Sequence, residues 1–303
     1  MKSRFLILGS EGFLGQAIKN GLEENGHQIF SIDICGNPSL KINIIENIDL
    51  LEQTIDDFIP DYIINFAAFS NGSSCAANPE KVYGLNVLFV EKVALLCQRK
   101  KVKAFFQASS EWIYGPGPIV ENYTKLADSY YHRDLDLYSR SKLDSELCLM
   151  RCALNGTTSN TTKLICYRFG IIYGNSLFAS NCVVDFLLGK WDMSHELNVR
   201  TPMSARSFVS LDDIIDIFVE SEKIVNQCTD PFSVYDIQGS HSYDLQSIIN
   251  YIEKKSMRLV PISIYSILDK SFDRKFVTSD IHKLLKQEPR SLQDYLDLRT
   301  ISK

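Results

Sequence analysis

A doubly wound α/β fold is what this sequence predicts, with a parallel sheet in its first half and a smaller, less regular lobe toward the C-terminus. Three observations carry that expectation. Short apolar runs alternate with longer amphipathic stretches up to residue 169, a turn of three glycines follows the first run, and an aspartate closes the second.

The strand-like runs cover 5–8, 28–32, 41–44, 62–66, 103–108 and 163–169. They are almost continuously hydrophobic, as strands covered on both faces must be. Helical periodicity fills 14–25, 48–58, 79–99 and 138–154 between them. Beyond residue 172 the pattern loosens: 175–200 is mixed, 211–225 is helical, 234–237 reads as a last strand, and the tail carries two further short helical patterns. A Rossmann-type domain is therefore expected over 1–172, with 206–240 returning to it, and a substrate-binding lobe over 173–205 and 241–303.

The chain has 303 residues, 45% of them hydrophobic and 23% charged, enough for one large α/β unit with an appendage and typical of a folded protein. A formal net charge of -5 argues against a broad basic surface for nucleic acid or anionic lipid. No apolar run approaches the roughly 20 residues that span a bilayer. The opening Met1-Lys2-Ser3-Arg4 leads into a strand pattern without a cleavage site, so a soluble, cytoplasmic protein without membrane partners is expected. Eight scattered cysteines lack paired CxxC spacing; buried, reduced thiols are expected and no metal site.

Gly9-Ser-Glu-Gly12-Phe-Leu-Gly15 follows the first strand and opens a helix. In that context Gly9 permits the tight turn, Gly12 lets the backbone approach a pyrophosphate, and Gly15 allows helix and strand to pack closely. Phe13 and Leu14 lie inside the same turn and are counted with it, because a helix N-terminus presents N–H groups to a phosphate. Asp33 ends the second strand, 18 positions past Gly15, where a carboxylate can accept hydrogen bonds from an adenosine ribose. It would repel a 2'-phosphate, and no arginine follows it, so the expected cofactor is NAD rather than NADP.

Tyr138-Ser-Arg-Ser-Lys142 begins a helical stretch, and four-residue spacing sets phenol and ammonium on one face. A nearby ammonium and a nicotinamide cation would stabilise a phenolate, allowing the tyrosine to exchange a proton with a hydroxyl. Upstream, the run 103–108 delivers Ser109 and Ser110 to the sheet edge where ligands of open α/β sheets bind. Ser110 is the expected partner of Tyr138, and Ser109 its packing neighbour.

With these residues in view the chain resembles the extended short-chain dehydrogenase/reductases, the family of nucleotide-sugar epimerases and dehydratases. The resemblance runs over most of the chain. It rests on the three glycines, Asp33, Asn43-Ile44, Asn65-Phe-Ala67-Ala68, Asn86-Val87, Ser109-Ser110 with Tyr114-Gly115, Tyr138-x-x-x-Lys142, Tyr167-Arg168-Phe169-Gly170 and Arg206-Ser-Phe-Val-Ser-Leu-Asp212-Asp213. It implies catalysis by Ser110, Tyr138 and Lys142. Asn43, Ile44, Ala67, Ala68 and Asn86 would join Tyr138 and Lys142 around NAD. Arg206, with Lys270 or Arg274, would hold a substrate diphosphate, while Glu111 and Trp112 would face the sugar. It also implies a homodimer through a four-helix contact of 79–99 and 138–154.

The resemblance leaves several reactions open. A 4,6-dehydratase needs a glutamate where Trp112 stands, so dehydration is disfavoured. Asp33 leans toward epimerisation at sugar C4 through a 4-keto intermediate, with an NAD(P)H-dependent 4-keto-sugar reductase and a non-catalytic dinucleotide-sensing regulator as alternatives. Two departures touch the substrate: the asparagine usual in the family's epimerases is Gly170, and a proline usual after Tyr173-Gly174 is Asn175.

Overall fold

The computed structural model describes residues 2–115, 135–156, 162–174, 182–192, 197–199, 205–257, 259, 262–264 and 285–301. The chain divides into two compact units: Met1–Ile113, Ser129–Arg168 and Ile215–Tyr235 form the first, while Tyr114–Asp128, Phe169–Ile214 and Asp236–Lys303 form the second.

The elements run β1 (Arg4–Leu8), α1 (Phe13–Glu24), β2 (Gln28–Asp33), β3 (Leu40–Lys41), α2 (Ile48–Phe58), β4 (Tyr62–Asn65), α3 (Gly72–Ala77), α4 (Pro79–Tyr83), a π-helical turn (Gly84–Leu88), α5 (Phe89–Lys100), β5 (Ala104–Ser110), α6 (Leu137–Asn155) and β6 (Lys163–Phe169). They continue with β7 (Ile171–Tyr173), α7 (Val183–Asp192), β8 (Leu197–Val199), β9 (Arg206–Ser210), α8 (Leu211–Val219), α9 (Ser221–Gln227), β10 (Phe232–Ile237), β11 (Ser242–Tyr243), α10 (Leu245–Ser256), β12 (Ile262–Ile264) and α11 (Leu292–Ile301).

Seven strands form the main sheet in the order β10-β6-β5-β4-β1-β2-β3, the doubly wound arrangement expected from the sequence. β1 pairs in parallel with β2 on one side and β4 on the other, so strand order reverses at β1. In open sheets of this kind a ligand binds at such a reversal, here beyond the C-terminal ends of β1 and β4. Leu6, Leu8, Ile32, Ile63 and Phe105 are buried in the core of this unit, as are Val90 and Val93 of α5 and Leu149 of α6. In the second unit β11-β9-β7 make a smaller sheet, and Tyr173, Phe208, Ile248, Ile252 and Leu296 share its core.

Three expected elements change. The strand expected at 41–44 is only two residues long, because Asn43 turns the chain: its side-chain oxygen accepts the Ile45 N–H and its carbonyl accepts the Asn47 N–H. The helix expected at 79–99 contains the π-helical turn, and that at 211–225 divides at Glu220. All eight cysteines are free, seven of them buried and Cys35 exposed. Among the described residues no helix is long and apolar enough to cross a membrane.

Candidate active site

At the end of β1, Gly9 turns the chain at φ +76°, and a Cβ there would lie 2.5 Å from the Ala67 backbone nitrogen. A Cβ on Gly15 would meet the Gly9 carbonyl at 2.1 Å. Only glycines let the turn, the first helix and the loop after β4 approach this closely. Gly12 differs, since its Cβ would meet nothing nearer than the Gly9 carbonyl at 3.6 Å. Gly12 is also the N-cap of α1 and supplies no side-chain cap, and first-turn N–H groups such as those of Phe13 and Leu14 are what a helix N-terminus offers to an anion. Asp33 closes this edge: its carboxylate accepts the Glu11 N–H at 2.8 Å and the Ile34 N–H at 2.6 Å.

The proton-transfer candidates meet at the end of β5. Asp136 caps α6, accepting the Ser139 N–H at 2.7 Å, which puts Tyr138 and Lys142 on successive turns. Ser110, whose oxygen accepts the Trp112 N–H at 3.3 Å, lies near enough to the Tyr138 phenol to lower it. Lys142 is 4% exposed, donates to the Ala108 carbonyl at 2.9 Å, and holds its ammonium 5.9 Å from the Tyr138 ring centre. Glu111 is buried and Trp112 half-buried on the short 3-10 turn that follows.

Burial dominates the electrostatics. It pushes the Tyr138 phenol up to about 12, partly offset by the Ser110 hydrogen bond. It also pulls the Lys142 ammonium down to about 8. Burial thus outweighs the lowering by Ser110, and the positive charge of a bound nicotinamide would lower the phenol further.

Polar side chains that were assigned no role from the sequence hold this cluster. Glu146, one turn beyond Lys142, accepts two hydrogen bonds from Arg168 Nε at 3.1 and 3.2 Å and one from Nη2 at 2.7 Å, and another from the Ser109 hydroxyl. Glu146 and Arg168 are at most 1% exposed, so the pair ties α6 to the ends of β5 and β6. Its signal was legible in part: Glu146 continues the Tyr138–Lys142 face at four-residue spacing, and Arg168 interrupts an apolar strand. A second network spans the sheet edge. Ala67 N–H donates to Asn65 at 3.1 Å, Asn65 donates to Gln107 at 2.8 Å, and Gln107 donates to the same Ala108 carbonyl that receives Lys142.

Asn86 sits in the π-helical turn, accepts the Phe69 N–H at 2.9 Å and donates to the Phe69 carbonyl and to Ser141. It therefore clamps the loop after β4 to α6, since Ser141 in turn bonds the Tyr138 carbonyl. Ala67 and Ala68 lie half-buried on that loop, whereas Ile44 belongs to the core. Arg206 is 8% exposed on β9 of the second unit, and Lys270, Arg274 and Asn175 lie outside the described residues. Gly170 has a structural reason: a Cβ would meet the Ser207 carbonyl at 2.8 Å, leaving no room for the asparagine of the family pattern. Among the described residues no group of three or more His, Cys, Asp or Glu is arranged to hold a metal ion.

Comparison with known proteins bears on the fold and the family. The model of the NAD dependent epimerase/dehydratase family matches residues 5–222, well over half of the chain. The crystal structure of a UDP-glucose 4-epimerase from Thermotoga maritima superposes with a TM-score of 0.80, covering 98% of this chain and 97% of its own at 17% identity, which establishes the fold. A dTDP-4-dehydrorhamnose reductase of Aggregatibacter actinomycetemcomitans is 25% identical over 177 residues, 57% of this chain and 54% of the relative. A probable low-salt glycan biosynthesis reductase of Haloferax volcanii is 22% identical over 149 residues, 46% of each chain. The chain thus spans about half the length of the curated relatives it matches.

Proposed function

The chain belongs to the NAD dependent epimerase/dehydratase family, and we propose that it is a nucleotide-sugar epimerase that inverts C4 through a 4-keto sugar. The observation that carries the reading is the placing of Tyr138 and the buried Lys142 on one face of α6 beside the end of β5, with the Lys142 ammonium held by the Ala108 carbonyl 5.9 Å from the phenol ring and Ser110 near enough to lower the phenol. The open turn at Gly12 and the carboxylate of Asp33 suit NAD, which when bound supplies the hydride acceptor and donor.

In this reading Ser110 and Tyr138 grip the C4 oxygen from two sides. Tyr138 takes the hydroxyl proton as the sugar is oxidised and returns it once the keto sugar has turned its other face. Lys142, held by Ala108, stabilises the charge that develops on the phenol. Glu111 and Trp112 contact the sugar, and Arg206, with Lys270 or Arg274, pairs with the diphosphate, for which a guanidinium fork is suited. The lobe of 173–205 and 241–303 supplies the substrate side, while Asn43, Ile44, Ala67, Ala68 and Asn86 border the cofactor.

The test is to incubate the protein with NAD and UDP-, GDP-, dTDP- and CDP-sugars. A C4-inverted product that vanishes in Tyr138→Phe supports the reading; binding without chemistry across the panel supports a dinucleotide sensor instead. A 4-keto-sugar reductase is the second reading, favoured by the names of the two curated relatives. Cofactor stoichiometry separates them, because a reductase consumes one reduced nicotinamide per turnover and an epimerase none.

A homodimer through the helices 79–99 and 138–154 is part of the proposal. Tyr83, Leu88, Leu95 and Leu154 are exposed there. A monomer by light scattering at micromolar concentration would remove it. Eight unpaired thiols suit a reducing, cytoplasmic compartment.

A further inference from the structure

Glu11 lies inside the glycine turn, two residues past Gly9, and its side chain is only 11% exposed. Its backbone N–H donates to Asp33 at 2.8 Å, which ties the glycine turn to the end of β2. Its carboxylate reaches in the same direction. One oxygen accepts the Asn37 N–H at 3.3 Å, and the carboxyl carbon lies 2.8 Å from where a Cβ on Gly36 would stand. The chain after β2 therefore passes beneath Glu11 with a glycine at φ +65°, a fit that leaves the carboxylate lying over the turn.

Two carboxylates, Glu11 and Asp33, thus border the edge where the adenosine ribose of a dinucleotide rests in this fold. The nearby cations are engaged. Lys19 pairs with Glu11 at 3.2 Å, and Lys41 donates to the Gly36 carbonyl at 3.4 Å. A ribose carrying hydroxyls can donate to such an edge, whereas a 2'-phosphate carries close to two negative charges and only accepts.

We propose that Glu11 is a second determinant of cofactor choice, acting with Asp33 to exclude a 2'-phosphorylated dinucleotide. The inference rests on the NAD reading given above. It adds that removing Asp33 alone leaves a repelling charge in place, and that neutralising Glu11 also releases Lys19 toward the incoming phosphate.

Direct binding tests it, by fluorescence titration of the full chain with NADH and with NADPH. The proteins compared are the wild type, Glu11→Gln, Asp33→Asn and the double variant. Glu11→Gln keeps an amide oxygen that can still accept the Asn37 N–H and removes the charge, and with it the Lys19 ion pair. We expect its affinity for NADPH relative to NADH to rise about tenfold, as loss of one partly buried charge near a phosphate allows, and the double variant to exceed either single one. In the wild type the same ratio should climb with ionic strength as screening weakens the repulsion. Equal weakening of both nucleotides in Glu11→Gln would make Glu11 a clamp of the turn and overturn the proposal. So would a double variant no better for NADPH than Asp33→Asn. A wild type that binds NADPH more tightly than NADH, or neither, would instead defeat the NAD reading itself.

Discussion

The two ends of the proposed site are made in opposite ways. Around β1 and β2 the protein removes side chains: Gly9, Gly12 and Gly15 bring backbone against backbone, and the groups offered to a ligand are N–H donors and partly buried carboxylates. Around β5, β6 and α6 it buries charge: Lys142, Glu146 and Arg168 are at most 4% exposed and are held by Ser109, Ala108 and one another. Binding a diphosphate needs a fixed backbone surface with room above it. Moving a proton needs a phenol whose protonation state is set by its surroundings, so charge is taken out of water there at a cost to stability.

Substitutions on the two sides should separate along that line. Tyr138→Phe is expected to lower turnover by about 10²–10⁴-fold with little change in the unfolding midpoint, as measured by steady-state rates beside thermal melts; a variant keeping half the wild-type rate would show that the phenol moves no proton. Glu146→Ala should be the most destabilising change, by about 3–5 kcal/mol, because Arg168 is left buried without its carboxylate. Denaturant unfolding reads this directly, and a loss under 1 kcal/mol would mean that Arg168 finds water or another acceptor. On the backbone-built side Gly9→Ala is expected to cost about 1–3 kcal/mol from its positive φ, and to weaken NADH binding in a titration as Ala67 is pushed aside.

The last expected effect is a gain. Burial lowers Lys142 from its usual 10.5 to about 8, so between those values the folded protein holds fewer protons than the unfolded chain does. The penalty is full below about pH 8 and is relieved as pH rises toward the unfolded value, since the unfolded state binds more protons in that window and stability climbs with pH. Tyr138 has the opposite sign: its phenol sits at about 12 against a usual 10.0, so stability falls as pH rises between those values. Lys142→Met should therefore be about 1–3 kcal/mol more stable than wild type near neutral pH, inactive in the panel assay, and lose that advantage toward pH 10. An advantage that stays constant with pH would show that the ammonium is solvated.

How far the sequence carried this depends on whether each feature is local. The strand and helix alternation was legible because periodicity is a property of neighbouring residues, and β1, α1, β2, α2 and β5 lie within a residue or two of their expected bounds. The helix 79–99 was legible as helix but its π-helical turn was not, because one extra residue in the hydrogen-bond register leaves no mark in composition. That insertion aims Asn86 at Phe69 and Ser141, partners 17 and 55 residues away. At 41–44 the apolar residues suggested a strand, yet Asn43 formed its own turn and Ile44 went to the core.

By itself the sequence determined the fold class, the glycine turn, the aspartate that ends the second strand and the helical spacing of Tyr138 to Lys142, all fixed by residues within one or two elements. Only the tertiary structure decided that Glu146 meets Arg168 and Ser109, that Gln107 and Lys142 share the Ala108 carbonyl, and that Gly170 must be bare because the Ser207 carbonyl approaches it. Those contacts join chain segments tens of residues apart. Which buried donor finds which acceptor is settled when the strands align in the sheet, and no local pattern records it.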